Sequence, residues 1–443
     1  EDGITLTYPS ELSETIVSEA STVASIQDYV ELMPECQKSS THQSIDLILA
    51  QGCVNFQDIH YRPNYLPGNL DGLNQITDYV NVVRQNDRFS YYFEPVAFSE
   101  NTQALSGGRS YIGFSYQVSN SNAVISDSNP FLLGTIFPFT RAWWDGLEVG
   151  DRLIAVDGTE ISGLTVEEVR DLLPQTEAAT TTLTLLRNGN QIQIQTASET
   201  HISRSLGSSN QIAYLNLREY TTVSADRIRD DYQSLVSAGS GGSNGMILDL
   251  RQNGGGSLSG AWYLTDFLGP SSVNNQVMFS LQQQSQTTNY RFGIYGSNLG
   301  ITDRSKFVIL VDGSSASASE VTSATLQDLE IATLMGGVTY GKGVGQNVTG
   351  LLDGSGVYIT SFELLTPLGN SWHDLGVSPD YSLSTVLPAT PANDTLLQAA
   401  IEFLETGSVS QATVSRQTEK SRLLLSVPSY THPWDGGSRQ KLN

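Results

Sequence analysis

Three serines and a lysine are the residues of this chain whose types and spacing could do covalent chemistry. Ser315, Ser317 and Ser319 lie in a run of small residues directly after the apolar stretch Phe307–Val311 and the turn Asp312-Gly313-Ser314. Lys342 stands between Gly341 and Gly343, 25 residues beyond the middle serine. A hydroxyl is a poor nucleophile until a base takes its proton, and a neutral amine can be that base. Free lysine titrates near ~10.4, so the role requires burial that lowers its pKa, and flanking glycines permit close packing. The bland alternatives are a solvated surface lysine and a serine that only caps a helix, the part expected of Ser315. A third element is the turn Gly254-Gly255-Gly256 after the apolar strand Met246–Leu250. Such a turn can expose backbone N–H groups to a developing oxyanion. A histidine base is disfavoured: His373 and Asp374 are neighbours in sequence, and neighbours on a strand point to opposite faces.

These residues need a scaffold of some size. At 443 residues the chain is expected to form two or three domains. Helical periodicity in Leu12–Met33 and Gly72–Arg84 suggests a mainly helical region over 1–105, ending near Ser106-Gly107-Gly108. Short strands and one helix follow over 106–197, then a Ser-rich link near 197–210. From there to 405, strands alternate with helices, which argues for an α/β layered core. Residues 406–443 form a tail with Arg416, Lys420, Arg422, Arg439 and Lys441 against Glu419 and Asp435. Its apolar stretch Leu423–Tyr430 is expected to dock on the acidic body or add to a sheet edge.

The formal charge of −23 and pI near 4.4 repel polyanions, so nucleic acid and anionic membrane surfaces are not expected partners. Two cysteines, Cys36 and Cys53, and five scattered histidines make no metal-ligand cluster, and no cofactor is expected. In an oxidising compartment the two cysteines could close a disulfide; otherwise they are two thiols. The chain starts with Glu1 rather than Met, so removal of a leader is expected.

Two resemblances sharpen this picture. Tyr111-Ile112-Gly113-Phe114 resembles the carboxylate-binding loop of PDZ domains, and Gly146–Asp151 followed by Arg152–Gly158 resembles the loop and strand that recur in them. Thr165–Leu173 would be the groove helix, Thr181–Arg187 a closing strand, and Ser119–Asn129 an insertion. Successive amides near Gly113 would meet a terminal carboxylate while a peptide adds as a strand beside Gly113–Gln117.

The serine and lysine segments, with Asp249-Leu-Arg-Gln-Asn-Gly-Gly-Gly256 and Gly376-Val-Ser-Pro-Asp380, resemble the tail-specific, or C-terminal processing, serine proteases. Asp87–Tyr92 resembles the segment that precedes the PDZ domain there. The resemblance covers roughly 85–385 and implies a crotonase-like α/β protease core at 198–405 with a PDZ-like domain. It implies Ser317 as nucleophile, Lys342 as base and Gln346 as a support that orients the amine. The oxyanion donors it implies are the amides of Ala318 and of Gly255 or Gly256, with Gly254 in place of the family's proline. The implied activity is endoproteolysis near the free C-termini of protein substrates, in a periplasmic, cell-envelope or secreted setting. Two other readings stay open: a PDZ-bearing scaffold with a degenerate core, and a hydrolase without tail specificity.

Overall fold

The computed structural model describes residues 87–410, apart from 109–111, 175–178, 200, 240–241, 243, 284–285, 295–298, 300, 351–353 and 384, together with 81, 84 and 415–416. Cys36, Cys53, Tyr111, the expected N-terminal helices and the tail beyond Arg416 lie outside the described residues. Among those described, the chain forms two compact units. The first joins the segment up to Thr102 with Leu281–Thr288 and Val344–Leu364; the second holds Gln103–Ser280, Asn289–Gly343 and the chain from Leu365 onward.

The first unit is antiparallel. Strand β1 (Tyr91–Phe93) and β15 (Val344–Gly350) both pair with β16 (Gly356–Leu365). The sheet continues through the hairpin of β11 (Val277–Gln283) and β12 (Gln286–Arg291). Helix α1 (Pro95–Gln103) sets the Phe98 ring where a Cβ on Gly356 would stand, 2.2 Å from ring carbons, so glycine is required there.

The second unit carries two sheets. A seven-stranded sheet runs in the order β18-β17-β14-β13-β10-β9-β8. These strands are β8 (His201–Leu206), β9 (Ile212–Leu217), β10 (Gly245–Asp249), β13 (Phe307–Val311), β14 (Thr333–Gly336), β17 (Tyr381–Ser382) and β18 (Ser415–Arg416). Five of them, β9 to β17, are parallel, and an antiparallel strand closes each end. Every residue of β10 and β13 is buried. Continuous apolar strands are what a parallel sheet covered on both faces requires. Helix α7 (Thr395–Thr406) lays Leu396, Leu397, Ala400, Phe403 and Leu404 on Ile247, Val308 and Leu310 of one face. The crossover helices are α4 (Ser224–Ser237), α5 (Leu258–Leu268) and α6 (Ala318–Asp328), of which α5 packs against both others.

The expected Ser-rich link near 197–210 is instead the edge strand β8, paired residue by residue with β9. Its composition is weak for a strand, but Ile202 and the partly buried Leu206 serve the sheet's core, and pairing outweighs propensity. At the opposite edge, residues 415–416 of the basic tail add to β17.

The second sheet comprises β2 (Phe114–Gln117), β3 (Leu132–Ile136), β4 (Arg152–Val156), β5 (Thr159–Glu160), β6 (Thr180–Arg187) and β7 (Asn190–Ala197). Its main path is β2-β3-β4-β6-β7, so β2 is an edge. Helices α2 (Arg141–Trp144) and α3 (Val166–Leu172) contribute Ala142, Val166 and Val169 to its core. Thr165 caps α3 in a capping box with Glu168. This small domain is anchored on the large sheet within one unit: Trp143 Nε1 donates to the carbonyls of Pro388 (3.2 Å) and Ala389 (3.1 Å), and the Trp144 and Tyr214 rings meet at 5.4 Å. No described helix is long and apolar enough to cross a membrane.

Candidate active site

Strands β10 and β13 are parallel neighbours, with Asp249 opposite Leu310. The chain therefore delivers the glycine turn and the serine run to the same sheet end, where open α/β sheets place their sites. The two segments are zipped together. Ala316 N donates to Asn253 O (3.0 Å), and Leu250 N donates to Leu310 O (2.9 Å).

The three serines separate by environment. Ser315 is fully buried; its hydroxyl donates to Leu250 O (2.8 Å) and accepts from Asp312 N (3.0 Å). Ser315 is thus a clamp between turn and strand and not the helix cap expected of it, because α6 starts at Ala318 and Ser317 holds the capping position. Ser319 is fully buried and donates to Asn253 O (3.0 Å). Ser317 is half-buried, the one residue of 314–327 outside the buried class. Its backbone has φ 55° and ψ −112°, a conformation that L-residues with side chains avoid.

The glycine turn touches that serine. A Cβ on Gly255 (φ +102°) would lie 2.8 Å from Ser317 Cβ and 3.0 Å from Ala318 N. A Cβ on Gly256 would lie 2.1 Å from Tyr220 O. Glycine is required at both positions by contact as well as by φ. The Gly255 amide is engaged, donating to Asn253 Oδ1 (2.8 Å), and its carbonyl accepts from Tyr220 N (2.8 Å). The amides of Gly256 and Ala318 have no acceptor among the described residues.

Lys342 reaches this corner through Glu320. One carboxylate oxygen, Oε2, accepts from both Ser317 N and Lys342 N, each at 2.8 Å. The other, Oε1, accepts from Thr339 Oγ1 (2.5 Å) and Gly341 N (2.7 Å). Glu320 is fully buried, and desolvation pushes its carboxyl up to about 6 against the opposing pull of these hydrogen bonds. The half-buried Lys342 is held in a loop packed on the turn 372–376. A Cβ on Gly341 would stand 2.9 Å from Gly376 N, and one on Gly343 would stand 2.7 Å from His373 N. His373 Nε2 lies 3.7 Å from Asp374 Oδ2, beyond hydrogen-bond length.

Gln346 lies on β15 in the first unit, at a β-bulge, and donates through Nε2 to Thr360 Oγ1 (3.3 Å). In the small domain Gly113 (φ +86°) accepts from Phe137 N (2.9 Å), and a Cβ there would strike Thr140 Oγ1 at 2.5 Å. Ile112 packs partly buried against the domain core, and the Phe114 side chain is a member of that core. Tyr111 lies outside the described residues.

Glu320, Thr339 and Asn253 do structural work at the site that the sequence reading did not assign. The spacing Ser317-x-x-Glu320 is that of a capping box, which was the available signal. Below the turn, Arg251 is buried between Asp249 (2.6 Å) and Asp394 (2.7 Å), with its guanidinium 3.9 Å from the centre of the Phe139 ring. Burial raises the Asp249 pKa, and the paired arginine opposes that.

Residues 211–383 match the model of Peptidase family S41, and residues 138–187 match that of the PDZ domain. The chain is 30% identical over 280 residues to a carboxyl-terminal-processing protease of Synechocystis, covering 60% of this chain and 63% of that protein. It is 30% identical over 251 residues to a carboxy-terminal-processing protease of Bartonella bacilliformis, covering 55% and 56%. With a chloroplastic C-terminal processing peptidase of Tetradesmus obliquus it shares 28% over 334 residues, covering 68% and 66%. The chain thus spans less than two thirds of the length of each of these relatives. A solved structure assigned to the S41 proteases, from Bacteroides fragilis, superposes with TM-score 0.53 at 18% identity over 83% of this chain and 98% of that one, a likeness of fold. Residues 211–383 thus resemble Peptidase family S41 and residues 138–187 a PDZ domain, and the chain is similar to carboxyl-terminal-processing proteases.

Proposed function

We propose that this protein is a serine endopeptidase that cleaves protein substrates near their C-termini with a Ser317–Lys342 dyad on a crotonase-type core. The observation that carries the reading is the shared Glu320 oxygen, which ties the backbones of Ser317 and Lys342 to one point. Neutral Lys342 Nζ takes the Ser317 hydroxyl proton as Oγ attacks the scissile carbonyl carbon. The tetrahedral oxyanion is met by the amide of Ala318 together with a glycine amide of the turn. Gly256 is favoured for the second donor because the Gly255 amide is engaged with Asn253. The ammonium of Lys342 then protonates the departing amine. Water attacks the acyl-enzyme with Lys342 again as base, which restores Ser317.

The PDZ domain would recruit the substrate. Among the described residues β2 pairs only with β3, so its other edge is open to an added strand. The backbone at Ile112–Gly113 would receive the terminal carboxylate. The test is turnover of a disordered protein with an apolar C-terminus, free or amidated. Cleavage that fails in Ser317→Ala and slows on amidation supports the reading. Intact cleavage in Ser317→Ala refutes the dyad, and equal rates for acid and amide remove tail recognition alone. Binding without turnover would favour the scaffold.

A further inference from the structure

The buried carboxylate of Glu320 faces four donors. Ser317 N, Gly341 N and Lys342 N are backbone amides and can only donate. The fourth contact is the Thr339 hydroxyl, which accepts from Val377 N (2.7 Å). Among the described residues the one other contact of that oxygen is Glu320 Oε1 (2.5 Å). An ionised carboxylate only accepts, so the single hydroxyl proton goes to Glu320 and the pattern has one solution. A proton on Glu320 Oε2 would meet two N–H donors. A proton on Oε1 would turn against the Gly341 amide or drive the Thr339 proton off the carboxylate.

Thr339 is itself held from outside the site. Its amide donates to Val377 O (3.2 Å), so the two residues are bonded in both directions. A Cβ on Gly376 (φ +76°) would stand 2.3 Å from Thr339 O, which requires glycine there. Beyond Val377, Ser378 O accepts from Gln327 Nε2 of α6 (3.0 Å), and Asp380 Oδ2 accepts from Leu334 N of β14 (2.9 Å). The segment Gly376–Asp380 is thus fixed to the helix that carries Glu320 and to the strand that leads to Thr339. Thr339 and Val377 are both buried.

We propose that Thr339 is a positioning residue whose hydroxyl, loaded by the Val377 amide, holds Glu320 as an acceptor on both oxygens and so keeps the Lys342 loop seated beside Ser317. The inference rests on the reading of Ser317 and Lys342 as a dyad. It gives the segment Gly376–Asp380 a part in catalysis. Burial pushes the Glu320 carboxyl up to about 6, and the Thr339 hydroxyl is the strongest of the hydrogen bonds that oppose it. Loss of the hydroxyl therefore raises that pKa further. The four donors to Glu320 are uncharged. The titratable groups on the elements around it are Asp312 before the serines, Arg251 before the glycine turn, Tyr220, Asp266 on α5 and Asp328 at the end of α6, with Tyr340 and Lys342 after β14 and His373, Asp374 and Asp380 beyond β16. Of these, Asp312 accepts from Gln252 N and Ser314 N, Asp266 accepts from Gly293 N and Ile294 N, Arg251 pairs with Asp249 and Asp394, and Asp380 pairs with Arg304.

The test compares Thr339→Val, Thr339→Ser, Glu320→Gln and the Thr339→Val/Glu320→Gln pair in the full chain. It measures kcat and KM on one fluorogenic peptide and stability by urea denaturation across the pH range of the Glu320 titration. Thr339→Ala is measured alongside, so that one folded variant without the hydroxyl suffices. The kcat is expressed per site titrated by a fluorophosphonate, so a partly folded preparation does not lower it. Thr339→Val should lower kcat about tenfold with KM unchanged, the cost of a displaced catalytic group. A group whose folded pKa is raised loses its contribution to stability as pH rises through that pKa. The decline that the parent shows near pH 6 should therefore move to higher pH in Thr339→Val and be absent in Glu320→Gln. Thr339→Ser should restore both readouts, and the pair should be no worse than Glu320→Gln. A parental kcat in Thr339→Val, a decline that stays at the parental pH, or additive losses in the pair overturns the proposal. Cleavage that survives in Ser317→Ala refutes the dyad, and the part of Thr339 in catalysis falls with it, while the urea profiles still decide its hold on Glu320.

Discussion

Around Ser317 the backbone and side-chain polar groups are tied to one another, whereas β2 of the PDZ domain has, among the described residues, no partner strand at one edge of its ladder. The first region binds two loops to one buried carboxylate and packs a glycine turn on Ser317. The second offers open backbone beside a glycine that lets the loop close on Thr140. Covalent chemistry demands that reacting atoms stay within tenths of an ångström. Capture of varied peptide ends demands main-chain donors and acceptors that any sequence can use. The same backbone groups are therefore consumed at one place and kept in reserve at the other.

The contrast is broken most severely at the proposed Ser317–Lys342 dyad. Ser317→Ala and Lys342→Ala should each lower kcat by at least about 10³-fold, and the double variant should be little worse than either, as expected of a pair that acts as one unit. Single-turnover assays on one peptide check this.

Glu320→Gln comes next. The replacement amide accepts at one atom only, so two N–H or O–H donors would face an NH₂ group, at a cost of about 1–3 kcal/mol. A loss of about 10–100-fold in kcat is expected, with a lower Tm. The pH signature follows from linkage. The folded-state pKa of Glu320 lies above the ordinary glutamate value, so the folded protein holds that proton more tightly than the unfolded chain. Its contribution to stability is full below the ordinary glutamate value and is lost as pH rises through about 6. Urea denaturation of both proteins from pH 4 to 7 should show that decline in the parent, on the order of 2 kcal/mol, and its loss in Glu320→Gln.

Milder effects should mark the proposed recognition region. Gly113→Ala forces a Cβ against Thr140 in a positive-φ backbone. It should weaken binding of a free-acid peptide about tenfold by titration calorimetry, with little change in kcat on a short amidated peptide. Equal losses on both peptides would mean that the two regions are not separate in function.

How much was legible in the sequence follows the same division. Met246–Leu250 and Phe307–Val311 read directly as buried strands, since continuous apolar runs have few other uses. Gly113, Gly341 and Gly343 read correctly as places of close approach, though not what approaches: Gly343 meets the His373 backbone. Glu320 was not legible, because a glutamate in a first helical turn is ordinarily a solvated capping group. Only the fold buries it and brings Thr339, Gly341 and Lys342 to its oxygens. Strand β8 was hidden by serines whose propensity says link, and Asp87 by a partner 273 residues away. Spacing along the chain carries local chemistry; it does not carry which distant loop shares an acceptor.

The central claim is that Lys342, and no histidine, activates Ser317. The most direct measurement is the rate at which a fluorophosphonate probe acylates the protein as a function of pH, with the labelled residue located by peptide mass spectrometry. The account predicts modification at Ser317 at a rate that rises with pH, is unchanged in His373→Ala, and is lost in Lys342→Ala. Modification of Ser315 or Ser319, or labelling that survives in Lys342→Ala and disappears in His373→Ala, would contradict it.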